Sequence, residues 1–122
     1  MRWAAKLTPK DIDVAQVHDC FTISEIIELE ELGFCEKGEG GPFVLAGGTR
    51  LDGQTPTNTD GGLLSVGHPY GATGARQAVE ICKQLQGRAR NQVKDPKFAL
   101  THNLSGVCAQ HTVIIYGTEP VE

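Results

Sequence analysis

Two short strings carry the side chains best suited to moving protons near neutral pH. They are His18-Asp19-Cys20-Phe21 and, roughly fifty residues on, Gly67-His68-Pro69-Tyr70-Gly71-Ala72-Thr73-Gly74. An imidazole and a thiol are easily tuned to accept or return a proton, and each string sets one beside a turn into a helix. A thiol at Cys20, just before a helix, has its thiolate favoured by the helix dipole, and His18 two positions earlier points to the same side of the strand end. The competing reading of Cys20 is a buried thiol packed as a small hydrophobe. His68 stands before Pro69 and between Gly67 and Gly71, a frame that can hold an imidazole rigidly against a ligand, though the same tripeptide also suits an ordinary turn histidine.

Gly71-Ala72-Thr73-Gly74 opens a helix with small residues, so free N–H groups could approach an oxyanion; the alternative is a helix start packed closely on its sheet. Neither glycine-rich nucleotide fingerprint is present in the sequence. His102-Asn103 closes a predicted strand and would bring a third histidine to the edge where His18 and His68 gather. One histidine on each of three distant loops is not a metal-ligand pattern, and no metal is expected. Cys82 reads as core, Cys35 and Cys108 lie in turn contexts with no base beside them, and His111 reads as structural. The four cysteines form no Cys-x-x-Cys pair, which argues against both a zinc framework and a secreted disulfide scaffold.

The elements that must position these residues alternate in type. Thr8-Pro9 signals a short turn over 8–12, and Val14-Ala15-Gln16-Val17 reads as a buried strand ending at His18. Residues 1–7 read as the end of a helix begun earlier. Ile23, Ile26, Ile27 and Leu32 keep helical spacing, with Thr22 and Glu25 in the form of a capping box, predicting a helix over 21–32. Gly33 stops it, and 38–62 reads as a long irregular stretch with a short strand over 43–45. Ala75, Ala78, Val79, Cys82 and Leu85 mark a helix reaching Gly87. Strands follow over 98–101 and 112–116, joined by a tight turn at Leu104-Ser105-Gly106. The order strand, helix, loop, helix, strand, strand predicts an α/β fold.

The 122 residues, 39% hydrophobic and 21% charged, suit one soluble domain. Eleven basic against fifteen acidic residues give a net charge of −4 with no basic stripe, so nucleic acid is not an expected partner. The longest apolar runs are strand-sized and no signal-peptide pattern is present, which predicts a cytoplasmic protein without a membrane span.

In the order and spacing of residues 7–13, His18-Asp19-Cys20-Phe21, residues 61–76 and, more loosely, His102-Asn103-Leu104-Ser105-Gly106, the chain resembles the C-terminal part of thiolases. The branch it is most similar to carries His-Asp-Cys-Phe and Gly-His-Pro, as in sterol-carrier-protein-X type and archaeal thiolases. The resemblance covers nearly the whole chain. It implies a thiolase-like C-terminal half, a mixed sheet with helices on both faces, lacking its first strand and helix, so that residues 1–122 form a partial thiolase C-terminal domain. It also implies a catalytic half acting on acyl-CoA thioesters by Claisen condensation or thiolysis, with no cofactor because the coenzyme A thioester is the substrate.

On the same resemblance, Cys20 is the acid/base at the carbon next to the thioester carbonyl. His68 helps activate a nucleophilic cysteine and, with His18 or a water it holds, forms an oxyanion hole. Asn103 stands where other thiolases place that acid/base cysteine and becomes at most a positioning residue, beside Gly67, Gly71 and Gly106 as substrate-binding positions. Val107-Cys108-Ala109 departs from a string that is glycine-rich in the family. The nucleophilic cysteine lies in the family's N-terminal half, absent from this sequence, so a separate nucleophile-bearing half or a homo-oligomer is implied, together with a zinc-ribbon/OB-fold accessory protein. The alternatives are a non-catalytic acyl-CoA-binding or scaffolding subunit, or a fragment of a lipid-transfer-type thiolase.

Overall fold

Alternation along two strands decides which side of the sheet each residue serves. In the computed structural model, which describes residues 6–120, β1 (Val14–Gln16) lies parallel to β2 (Phe98–Ser105), and β2 pairs antiparallel with β3 (Gln110–Gly117). Successive strand side chains point to opposite faces. Ala15, Val17 and Leu100 therefore share one face, where they pack with Leu29 and Leu32 from the region of α1 (Thr22–Glu31) and with Ile12 and Phe34. Val14 and Ala99 take the other face, against Val93 and Ile81 of α4 (Thr73–Leu85). The result is the expected mixed sheet with a helix on each face.

The short turn over 8–12 forms as Pro9–Asp11, its start closed by reciprocal Thr8 and Asp11 hydrogen bonds. The helix end expected over 1–7 falls mainly on residues 1–5, outside the described residues.

Four local expectations are corrected. The strand expected over 43–45 is instead α2 (Gly40–Leu45), because neighbouring Phe43 and Val44 both pack on the α1 side of the core, which adjacent strand residues cannot do. The end of the expected irregular stretch folds as the short helix α3 (Gly62–Val66). The capping box at Thr22 does not form: Phe21 is the N-cap with no side-chain hydrogen bond, while Glu25 is drawn inward beside Asp19 and Glu28. β2 runs on to Ser105, paired with Gln110, so His102 and Asn103 lie inside the strand and the turn moves to 106–109.

Asp60 ties these layers together before the site. One carboxylate oxygen accepts from Gln16 Nε2 of β1 at 3.0 Å and from the Gly62 N–H at 3.1 Å, while the other pairs with Arg76 of α4. Strand, α3 and α4 thus meet at a single carboxylate.

Candidate active site

His18 lies two residues beyond β1, and strand parity puts it on the α4 side with Val14 and Gln16. The register that sets Gln16 against Thr101 extends to set His18 against Asn103. His18 Nδ1 donates to Asn103 Oδ1 at 2.5 Å, and the His18 backbone N–H donates to Glu28 Oε2 at 2.7 Å. With its Nδ1 proton committed, neutral His18 presents Nε2 as an acceptor, able to hold a water that donates onward.

His68 reaches the same place from the opposite direction. Gly67 ends α3 at φ +110°, a conformation open to glycine, and the chain then turns through Pro69 and a 3-10 turn at Tyr70–Ala72 into α4. The His68 ring meets His18 edge-on, with centroids 4.8 Å apart and planes at 90°, and Tyr70 flanks it at 5.0 Å. His68 Nδ1 lies 2.7 Å from the Thr73 hydroxyl, itself fully buried at the start of α4. A hydroxyl both donates and accepts, so it supports either neutral tautomer: His68 Nε2 can serve as a base or as an N–H donor. Burial, followed by the proximity of His18, holds the His68 pKa below the ordinary imidazole value, with Asp19 opposing, which favours the neutral ring.

Cys20 follows on the same edge, its Sγ 3.8 Å from the Ser24 hydroxyl one turn into α1. Between the two functional side chains of the first string, Asp19 is buried and accepts from the Leu63 N–H at 2.7 Å and the Leu64 N–H at 3.4 Å. This clasp joins the first string to α3, and through α3 to His68.

His18, Cys20, His68, Gly71, Asn103 and Gly106 all line one cavity of 740 Å³. Gly67 does not line it and acts through the turn that presents His68. His102 does not join the convergence either: it is one residue from Asn103 in β2 and so faces α1, where its Nδ1 meets Glu28 at 2.8 Å. Sequence reasoning missed Asp19, Ser24, Tyr70 and Thr73, and left Cys108 aside although it lines the cavity. Thr73 and Ser24 carry one legible signal, a hydroxyl five residues after His68 and another four after Cys20. Among the described residues, no group of three His, Cys, Asp or Glu is placed to hold a metal ion, and no helix is long and apolar enough to cross a membrane.

Glu25 stands behind the site, its pKa pushed up to about 7 by burial and by the Asp19 and Glu28 carboxylates. Its folded value is raised above the unfolded one, so the folded chain holds this proton more tightly. Stability is then lost as pH climbs from the ordinary carboxyl range through about 7. Glu25→Gln mimics the protonated form. The variant is expected to match the wild type near pH ~5 and to exceed it at pH ~8 in urea midpoint. A wild-type advantage at the higher pH would contradict this assignment.

Comparison with known proteins agrees with this architecture. A family model described as thiolase C-terminal domain-like matches residues 3–118. The chain is 50% identical to an acetyl-CoA acetyltransferase of Methanothermobacter thermautotrophicus over 113 residues, covering 92% of this chain and 30% of that protein. It is 46% identical to sterol carrier protein 2 of Homo sapiens over 111 residues, covering 90% of this chain and 20% of that protein. Among solved structures, a chain of the Ltp2-ChsH2(DUF35) aldolase superposes with a TM-score of 0.81 at 30% identity, over 95% of this chain and 29% of that one. The chain thus spans less than a third of the length of each of these relatives. With the family model running across nearly its whole length, this chain belongs to the thiolase C-terminal domain-like family.

Proposed function

We propose that this chain is the C-terminal catalytic half of a thiolase-like acyltransferase acting on acyl-CoA thioesters. In this reading a separate nucleophile-bearing half, or a larger protein of which these residues are part, completes the site. The observation that carries it is the convergence of His18, Cys20, His68 and Asn103 on one cavity from three separate segments.

In condensation, the Cys20 thiolate takes the proton next to the thioester carbonyl, and the carbanion attacks an acyl group held as a thioester on the nucleophilic cysteine. That cysteine leaves as a thiolate, and thiolysis runs the same steps backwards. His68, through Nε2, takes the proton of the nucleophilic thiol or donates to the thioester oxygen. A water held by His18 supplies a second donor. Asn103 holds His18, Gly71 and Gly106 leave room for substrate beside the cavity, and Gly67 sets the turn. Residues 1–122 then act as one partial thiolase C-terminal domain.

Exposed apolar side chains support the need for a partner: Ile23 and Ile27 project from α1, Val113 and Ile114 from β3. A homo-oligomer would cover them equally well. The solved relative pairs Ltp2 with ChsH2(DUF35), which supports a second protein as a further partner; a zinc-ribbon/OB-fold accessory protein is the one that the thiolase resemblance implies. Four unpaired cysteines support a reducing compartment, the cytoplasm. A second reading, favoured by the sterol carrier protein 2 relatives, is a piece of a lipid-transfer-type thiolase, or a scaffold that binds acyl-CoA without turnover.

Native mass spectrometry of the protein purified from the cells that make it, after iodoacetamide labelling, tests the proposal. A covalently continuous or co-purifying segment with a rapidly labelled cysteine supports a complete thiolase site. Recovery of the 122-residue chain alone, with no activated thiol on any companion, overturns the catalytic reading.

A further inference from the structure

A line of hydrogen bonds runs from α1 to the rim of the cavity. Buried His102 places Nδ1 2.8 Å from Glu28 Oε2 and Nε2 3.0 Å from His111 Nδ1; His111 Nε2 lies 3.0 Å from the Cys108 carbonyl oxygen. The two rings are within 10° of parallel with centroids 5.2 Å apart, a separation that accommodates a hydrogen bond in the ring plane. Glu28 Oε2 also accepts the His18 N–H, so this end of the line is an acceptor, and a carbonyl at the other end can only accept. Three hydrogen bonds between two terminal acceptors need three protons, whereas two neutral imidazoles carry two. The third is held within the line formed by Glu28, His102 and His111.

We propose that Glu28, His102 and His111 form a relay that shares one proton beyond those of two neutral imidazoles, and that this relay positions the 106–109 turn over the cavity. The turn needs such a hold. Val107 and Cys108 both adopt left-handed φ, +54° and +63°, with no glycine's freedom, and Val107 is β-branched and fully exposed. Gly106, Val107 and Cys108 line the cavity, whereas Glu28, His102 and His111 do not, so the three are positioning residues. The same Glu28 oxygen holds the His18 backbone, so one carboxylate serves both His18 and, through the two histidines, the 106–109 turn. Of the titratable groups around the relay, Glu25 on α1 couples to Glu28 and to Asp19 beyond β1, and the turn meets His111 through the Cys108 carbonyl.

The importance of the turn rests on the proposed function, but the relay does not, and its test is independent of turnover. In the 15N-labelled 122-residue chain, ring-nitrogen shifts are followed from about pH 5 to about pH 9. His102 and His111 are expected to lose one proton in a single shared step, with the amide signals of 106–109 moving at the same midpoint. His111→Phe keeps a flat ring at an exposed position without either nitrogen. It is expected to abolish the pH response of the turn while the β2 amides keep their positions. Two rings titrating independently, or turn amides indifferent to pH in the wild type, overturn the relay even if the variant fails to fold. Those results would leave the assignment of Cys20 standing, just as an inactive enzyme would leave the shared titration standing.

Discussion

Cys20→Ala is expected to lower kcat for thiolysis or condensation by about 10²- to 10⁴-fold, the range that a positioned acid/base contributes. The measurement uses the complex formed with a nucleophile-bearing thiolase half, and acyl-CoA binding is expected to persist. The asymmetry follows from where the side chain sits. Cys20 lines the cavity wall with its Sγ beside the Ser24 hydroxyl, so removing its sulfur leaves the His18–Asn103 and His68–Thr73 pairs intact. Binding groups remain while the proton carrier is gone. A scaffold that binds thioester without turnover would show no difference between wild type and variant, and unchanged kcat would remove Cys20 from the mechanism.

Gly62→Ala is expected to destabilise the fold by ~2–4 kcal/mol, adding a left-handed backbone penalty to the loss of buried hydrogen bonds. Gly62 adopts φ +66°, and a Cβ there would stand 2.2 Å from Asp19 Oδ2. Asp19 has no room to retreat without releasing the Leu63 and Leu64 N–H groups, and Leu63 is buried. Gly38→Ala provides the comparison. Its φ is +87° but nothing lies within 4 Å of the added carbon, so only the backbone penalty applies, ~1 kcal/mol. The difference between the two urea midpoints isolates the clasp. Equal losses would mean that Asp19 does not hold the first string to α3.

Because Asp19 lies between His18 and Cys20, loosening this clasp moves both. Gly62→Ala is therefore expected to lower turnover beyond its effect on stability, a second readout obtained from the same protein preparation.

The sequence by itself determined the α/β class, the two longer helices, and the two strings that bear His18, Cys20 and His68. These features are local. Helical spacing from Ile23 to Leu32 and from Ala75 to Leu85, the β-branched run ending at Tyr116, and glycines flanking a histidine all follow from short-range sterics and periodic burial. The family resemblance rests on the same contiguous residues, and the match over 3–118 agrees with it.

Only the tertiary structure decided what those residues meet. Strand parity sent His102 and Asn103, adjacent in sequence, to opposite faces, one to Glu28 and His111 and the other to His18. The helical form of 40–45 depended on a core that Phe43 and Val44 share with α1. Asp19, Thr73 and Glu28 gained their roles from partners 44, 5 and 74 positions away. A carboxylate or hydroxyl has no periodic signature in sequence, since its worth depends on an unpaired donor or acceptor arriving from another segment once water has been excluded.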